Sequence, residues 1–309
     1  DLMQAAAGPD LYADYQRVLQ SVKKKFFRKV DHFQAAENFL ELANNLKREG
    51  NRSYAAFCLL AVARCHGALR SDLMEANAQA EAGKLLWEEE LEAHESEPSS
   101  FANLVTEASH CYILAIELLC KRGRTSVAAS LYAEMASSLR TLRRLEDAAM
   151  YFEKASQLQE REAPLLATAS LEAAAACRVQ TCDYAGAIDL IDCALAILRH
   201  ETTSGEGLTE NKLVPHERRM VVEHLLTRTL LLGVLKMHNE AQAEVSELMQ
   251  SHSGDIADGF VVLPLLQCLL VAHSRQETDT VTEVIDELSD YLTALQSDIM
   301  HRMSALIGV

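Results

Sequence analysis

Residues 131–158 read LYAEMASSLRTLRRLEDAAMYFEKASQL, and this stretch decides the fold. Apolar or small side chains recur at intervals of three and four residues on both sides of a three-residue turn, which is typical of two amphipathic helices. In the second helix, Ala148, Phe152 and Ala155 follow the small, large, small spacing of a tetratricopeptide repeat. Such a hairpin cannot bury its apolar face alone, so the stretch predicts stacked repeats.

Composition and spacing extend this prediction to the whole chain. Of its 309 residues 49% are hydrophobic, and 12 Gly and 5 Pro are too few to punctuate a many-stranded sheet. The tetratricopeptide spacing returns at Ala187, Ile191 and Ala194. Because short polar breaks separate the periodic segments, neighbouring helices should run antiparallel. We therefore predict an all-α, tetratricopeptide-like α-solenoid of about fourteen antiparallel helices.

One long polar segment interrupts this pattern. Residues 201–214 include a cluster of Thr, Ser and Gly at 202–207, which is typical of a surface loop. We predict a flexible N-terminus at 1–10, the N-terminal part of the solenoid at 11–200, a flexible polar loop at 201–214, and the C-terminal part of the same solenoid at 215–309.

Local signals predict some helix boundaries. Thr280 with Glu283, and Asn239 with Gln242, have the spacing of a capping box. Pro264 lies inside an apolar run, so that helix either starts at this proline or is kinked there.

No residues have the spacing that catalysis or metal binding requires. The eight cysteines are scattered through predicted helices, which is typical of reduced, mostly buried thiols in a cytoplasmic protein. Glu88, Glu89 and Glu90 directly follow Trp87, and we predict a solvated helix face there rather than an acid–base pair. We expect no enzyme activity, no cofactor and no metal.

Charge restricts the partner classes. The formal net charge is -16 and the pI is about 5.1, so most of the surface should repel nucleic acid. No uncharged apolar run approaches the roughly 20 residues that a membrane span needs.

The strongest acidic candidate site lies near the C-terminus. Glu283, Asp286, Glu287 and Asp290 surround an apolar stripe, and residues 276–300 contain no Lys or Arg. Two interpretations stay open, namely an ordinary solvated helix face and a docking surface for a basic partner.

A basic candidate site lies at the opposite end, in a helix predicted from Leu11 to about Val30. Its apolar residues form one stripe and its bases the opposite face, and Phe27 lies among the bases. Lys24, Lys25, Phe27 and Arg28 are therefore candidate partner-binding residues. The same pattern also suits a capping helix with a solvated basic face, a membrane-surface helix or a calmodulin-type target.

Three segments carry a family resemblance. Residues 23–29 (KKKFFRK), 54–65 (YAAFCLLAVARC) and 265–272 (LLQCLLVA) resemble the family of the forty-kilodalton huntingtin-associated protein. The family's vertebrate forms have a long proline-rich insertion where this chain has an eleven-residue, mostly polar segment, at 201–211. The resemblance thus implies a distant member of the family, for example an invertebrate one.

The resemblance implies a non-enzymatic partner of huntingtin in a heterodimeric complex. It implies docking between the HEAT-repeat regions and the bridge of huntingtin, which stabilises the compact complex. It further implies a link to early endosomes through a small Rab GTPase, and a cytoplasmic location with an endosome-associated and a nuclear pool. Charge and hydropathy, not the resemblance, predict that the chain has no nucleic-acid partner and no membrane span.

Two other classes of function also use stacked helical repeats. One is a vesicle-trafficking adaptor of the soluble attachment-protein type, which would need a basic groove for an acidic coiled coil. The other is a tetratricopeptide co-chaperone. Its carboxylate clamp needs Lys and Asn, whereas the equivalent positions here hold Ala133 and Ser137.

Overall fold

The computed structural model describes residues 11–22, 31–96, 103–203, 215–251 and 259–307. These residues form fourteen α-helices, one 3₁₀ helix at Ser289–Tyr291 and no strand, which confirms the predicted all-α, tetratricopeptide-like fold. In chain order the helices are α1 (Leu11–Val22), α2 (His32–Arg48), α3 (Arg52–Ala68), α4 (Asp72–Ser96), α5 (Asn103–Lys121), α6 (Thr125–Thr141), α7 (Leu145–Gln159), α8 (Pro164–Gln180), α9 (Tyr184–Thr203), α10 (Pro215–Val234), α11 (His238–Ser251), α12 (Gly259–Arg275), α13 (Thr278–Leu288) and α14 (Ala294–Ala305).

Seven turns among the described residues share one hydrogen-bond pattern. After α3, the N–H of Ser71 donates to the carbonyl of His66 at 3.0 Å, and the N–H of Arg70 donates to that of Gly67 at 3.0 Å. This is a Schellman motif, which ends a helix and reverses the chain within three residues. In the other six turns the N–H donor again lies five residues after its carbonyl acceptor, at 2.9–3.0 Å. These donor and acceptor pairs are Asn51 and Leu46, Arg124 and Leu119, Arg144 and Leu139, Asp183 and Arg178, Met237 and Leu232, and Glu277 and Ala272.

Each of these turns contains one residue with a left-handed backbone. Glycine holds this place only at Gly50 and Gly123, with φ of 80° and 68°. A residue with a side chain in this conformation costs roughly 1 kcal/mol, and the turn's hydrogen bonds offset that cost. The other five turns use Arg70, Arg143, Cys182, Lys236 and Gln276, with φ between 56° and 61°.

The chain forms two compact units, residues 1–144 and 145–309. The hairpin predicted from residues 131–158 lies at their boundary, because α6 ends the first unit and α7 begins the second. Residues 1–10 and 204–214 lie outside the described residues. The predicted division of the solenoid at 201–214 therefore stays a prediction.

In the first unit, α4 and α5 approach each other closely at Gly83. Tyr112 on α5 is fully buried, and its hydroxyl donates to the Glu134 carboxylate on α6 at 2.8 Å. A Cβ atom at Gly83 would lie 2.5 Å from Cδ1 of Tyr112 and 3.1 Å from the carbonyl oxygen of Ala108. The absence of a side chain at Gly83 thus sets the spacing of these two helices.

In the second unit, one buried glutamine joins α14 to α10. Thr293 and Gln296 form a capping box at the start of α14. The Gln296 side-chain amide also donates to the carbonyl of Glu223 at 3.0 Å and to the Thr227 hydroxyl at 3.1 Å. Gln296 therefore both caps its own helix and fixes that helix against a neighbour.

The two capping boxes predicted from sequence are wrong. Helix α13 begins at Thr278 after Glu277, and α11 begins at His238, so Thr280 and Asn239 lie inside helices. The preceding Schellman turns set these starts. Met237 donates to the carbonyl of Leu232 and directly precedes α11, and Glu277 donates to the carbonyl of Ala272 and directly precedes α13. Helix α12 does not start at Pro264, which lies inside it.

Burial corrects two further expectations. Glu90 is buried in α4 and one of its oxygens has no hydrogen-bond partner among the described residues. Glu89 is half-buried and Glu88 is exposed. Half of the cysteines are buried, and burial raises the pKa of both Cys58 and Cys111 to about 11. Three others, Cys182, Cys193 and Cys268, are exposed.

Replacing Gly83 by alanine should destabilise the protein by about 1–2 kcal/mol, because the overlap with Tyr112 outweighs the gain in helix propensity. The matched control is Gly67→Ala in α3, where the new Cβ would meet only the mobile carboxylate of Glu75, at 3.0 Å and beyond. The control should be neutral or stabilising by up to about 1 kcal/mol. Urea unfolding of both variants measures this, and equal effects would contradict the close approach.

Thiol reactivity should separate the cysteines by burial. At pH 8 a soluble disulfide reagent should modify Cys268 at least about 100-fold faster than Cys58 and Cys111, whose raised pKa values leave little thiolate. Mass spectrometry of time points identifies each site. The same experiment in urea is the control, and there the three rates should converge; a fast reaction of Cys58 in the folded chain would contradict its burial.

Candidate protein-binding surfaces

The predicted acidic residues form one exposed surface on the second unit. Glu283, Asp286 and Glu287 lie on α13 and Asp290 lies in the 3₁₀ helix after it, and all four side chains are exposed. None of them has an ion-pair partner among the described residues. We call these four residues the acidic surface.

The opposite face of α13 is packed into the unit. The predicted apolar stripe consists of Val284, Ile285, Leu288, Tyr291 and Leu292; its first three members are buried, as is Val281, and Leu292 is half-buried. Tyr291, which the stripe also includes, is instead 45% exposed beside Asp290. Exposed tyrosines are enriched at protein–protein interfaces, where they can serve as anchor residues.

The acidic surface can act over distance as well as by contact. Its four carboxylates have no ion-pair partner in the described part of the chain, so their potentials add. Such a patch mainly accelerates the encounter with a basic partner and fixes its orientation, and salt screens it. The geometry therefore allows a docking role, although a solvated helix face would have the same geometry.

The basic candidate residues Lys24, Lys25, Phe27 and Arg28 lie outside the described residues. Of the helix predicted from Leu11 to Val30, the structure describes α1, which ends at Val22. A binding role for these four residues stays a prediction.

Sequence reasoning missed a second surface, which lies on the first unit. Tyr54 and Phe57, one turn apart on α3, are 59% and 47% exposed. The Tyr15 ring of α1 lies between two aromatic rings, with centroids 5.1 Å from Phe57 and 5.5 Å from Phe39. We call Tyr15, Tyr54 and Phe57 the aromatic surface. The i, i+3 spacing of Tyr54 and Phe57 indicates that they share one helix face, but it does not indicate whether that face is buried or exposed.

Other polar clusters serve the fold. Arg178 donates to Glu153 at 2.8 Å and to Asp183 at 2.7 Å, and Asp183 also accepts from the Gly186 N–H. These bonds lower the pKa of the Asp183 carboxyl, mainly through the Arg178 guanidinium. They join α7, α8 and the α8–α9 turn. A structural role accounts for this cluster.

The described residues contain no group of three or more His, Cys, Asp or Glu side chains arranged to hold a metal ion. No helix in the described part of the chain combines the length and the apolar character needed to span a bilayer.

Comparison with protein families gives a match over the N-terminal part of the chain. Residues 9–194 match the family described as soluble NSF attachment protein, SNAP. The matched range covers more than half of the chain, and it includes the aromatic surface but not the acidic surface.

Two curated relatives confirm the resemblance inferred from sequence. The chain is 33% identical over 208 residues to the 40-kDa huntingtin-associated protein of Mus musculus, which covers 67% of this chain and 54% of the relative. It is 35% identical over 181 residues to the Rattus norvegicus protein of the same name, covering 58% of this chain and 48% of that protein. The chain thus spans about half the length of the curated relatives it matches.

One solved structure is similar over most of its length. It is described as "Functional Characterization of Pseudomonas Aeruginosa pilF", it is 16% identical, and the match covers 87% of this chain and 98% of that chain with a TM-score of 0.33. This TM-score is too low to add to the fold assignment, which rests on the helices of this chain.

Proposed function

Because the chain belongs to the soluble NSF attachment protein family, we propose that it is a non-enzymatic binding protein whose partner is huntingtin. One observation carries the proposal: the 33% identity over 208 residues to the mouse 40-kDa huntingtin-associated protein. Exposed aromatic and acidic side chains on an all-α scaffold support a binding role.

In this proposal the chain docks between the HEAT-repeat regions and the bridge of huntingtin and stabilises the compact complex. The aromatic surface supplies apolar contact area, and the acidic surface meets a basic patch of the partner. The bases and Phe27 in residues 23–29 supply a further contact. The complex is cytoplasmic, and a small Rab GTPase links it to early endosomes.

A second candidate function is a vesicle-trafficking adaptor of the soluble attachment-protein type. The family match over residues 9–194 favours it. This adaptor would bind an acidic coiled coil, and the acidic surface would repel that partner. Opposite charge requirements therefore distinguish the two functions.

If huntingtin covers the exposed aromatic side chains, the free chain should be poorly stable. We expect it to aggregate or to be cut rapidly by protease, and we expect huntingtin at about 100 times the dissociation constant to stabilise it by about 2.7 kcal/mol. Thermal unfolding with and without huntingtin measures this difference. An equal concentration of an unrelated HEAT-repeat protein is the control, and a free chain that is monomeric, protease-resistant and unaffected by huntingtin would contradict the proposal.

Reversing the charge of the acidic surface should slow association. In the variant with Glu283, Asp286, Glu287 and Asp290 all changed to Lys, the association rate with huntingtin at low salt should fall about 10-fold or more. Its salt dependence should also weaken. Stopped-flow or surface-based kinetics at two salt concentrations provide the measurement.

The matched control reverses four exposed carboxylates on the first unit, Glu37, Glu41, Glu49 and Glu107, and changes the net charge equally. If the acidic surface docks, only the first variant loses rate. Equal losses would indicate a general charge effect, and unchanged kinetics in both would show that the acidic surface is solvated. An increased affinity of the first variant for an acidic coiled coil, without loss of huntingtin binding, would favour the adaptor function.

A further inference from the structure

Two histidine rings meet in the second unit, where α11 begins and α12 ends. His238 is the first residue of α11, His273 lies in the last turn of α12, and their ring centroids are 5.3 Å apart. Both residues lie at Schellman turns. His238 directly follows Met237, which closes the α10–α11 turn, and the carbonyl of His273 accepts the Gln276 N–H of the α12–α13 turn at 3.1 Å. The two rings therefore join the turns from which α11 and α13 start.

The His273 ring is buried without a hydrogen bond. The residue is 2% exposed, and neither Nδ1 nor Nε2 has a hydrogen-bond partner among the described residues. The Nδ1 of the half-buried His238 is also buried and unpaired. Burying an unpaired polar nitrogen is unfavourable, and burying an unpaired positive charge is much more so. The folded unit therefore accepts His273 as the neutral imidazole.

The groups that face the His273 ring do not compensate a positive charge on it. His238 on α11 and Lys236 in the turn before it are bases, and α14 contributes the carbonyl of Met303, which lies outside hydrogen-bond geometry. In the α12–α13 turn, the Glu277 carboxylate is paired with the arginine two residues before it, at 3.8 Å. Among the described residues no carboxylate forms an ion pair with either ring. Burial, together with the two bases, lowers the pKa of His273.

Close packing around the rings prevents a small local adjustment. A Cβ atom at Gly233, near the end of α10, would lie 3.0 Å from Cδ2 of Leu270 and 3.1 Å from Sδ of Met303. Leu270 lies one turn before His273 on α12. Since a closely packed interior does not yield by small shifts, a protonated His273 ring reaches water only when α12 or its neighbours move.

We propose that the contact between His238 and His273 is a pH-sensitive switch that controls how firmly α12, α13 and α14 pack. At neutral pH the His273 ring is uncharged and the two turns stay together. As the pH falls, the opened unit takes up a proton on His273 that the closed unit rejects, so acid favours the opened unit. Because α13 carries Glu283, Asp286 and Glu287, acid also loosens most of the acidic surface. The switch is a property of the free chain and does not depend on the identity of a partner.

Proton linkage gives the size of the effect. A water-exposed histidine has a pKa of 6.5, and that of His273 in the closed unit is lower. The stability that neutral His273 retains is therefore fully present above pH 6.5 and is lost as the pH falls below it. From pH 7.5 to pH 5.8, the equilibrium constant for opening should rise about fivefold through this one residue. The lower pH is still above the pI of about 5.1, so the chain keeps a negative net charge.

The test is hydrogen exchange of the full chain, read by mass spectrometry at pH 7.5 and pH 5.8. The parent is compared with His273→Phe at the same pH, so that intrinsic exchange rates and all other titrating groups cancel. We expect the exchange rate of parent relative to variant in α12, α13 and α14 to rise about fivefold at the lower pH. Peptides from α3 and α5 of the first unit are the internal reference, and their ratio should stay constant.

A second variant and a matched control separate titration from packing. His273→Gln keeps a polar side chain and His273→Phe keeps a ring, and since neither titrates, both should give the same fivefold change relative to the parent. Either variant that folds is sufficient. The control His301→Gln removes an exposed histidine from α14 and should exchange like the parent at both pH values. A parent-to-variant ratio that does not change with pH, or an equal change with His301→Gln, would overturn the proposal.

Discussion

The hydrogen bond that closes each Schellman turn is the constraint on which the two units depend. It joins the residue just before one helix to a carbonyl in the last turn of the preceding helix, as Ser71 to His66 and Asp183 to Arg178 show. One bond therefore fixes where a helix ends, where the next begins and how the chain reverses. Within each unit, these short turns place consecutive helices side by side. The side chains between two helices then determine how closely the helices approach.

A few specific contacts determine the distance between neighbouring helices. Gly83 allows α4 to lie against the Tyr112 ring, and Tyr112 in turn reaches Glu134 on α6. In the second unit, Gln296 performs a comparable role with hydrogen bonds, because it caps α14 and binds the α10 backbone. Buried polar groups that satisfy one another in this way favour one arrangement of helices over others.

The candidate binding residues lie where this construction leaves side chains uncovered. The packing of α13 buries four apolar side chains and leaves the carboxylates of Glu283, Asp286 and Glu287 outside. Helix α3 presents Tyr54 and Phe57 because its other faces already meet neighbouring helices. Glu244 is a different case. Its side chain is buried between α10 and α11, where the Arg228 guanidinium donates to one of its two oxygens.

The sequence by itself determined the all-α class, the repeat character, the family resemblance and the exposure of the acidic surface, because these follow from periodicity and residue type. It failed at the starts of α11 and α13, since the capping boxes it predicted at Asn239 and Thr280 compete with turns closed by backbone hydrogen bonds. Five of the seven Schellman turns have a residue other than glycine in the left-handed conformation, so the glycine content of the sequence does not reveal them. The tertiary structure alone decided that Glu90 is buried, that Tyr54 is exposed, and that Asp192, Arg228 and Glu244 share one cavity. Contacts between residues distant in sequence decide which side chains are buried and which share a cavity. The periodicity of apolar residues shows only which side chains share a face of one helix.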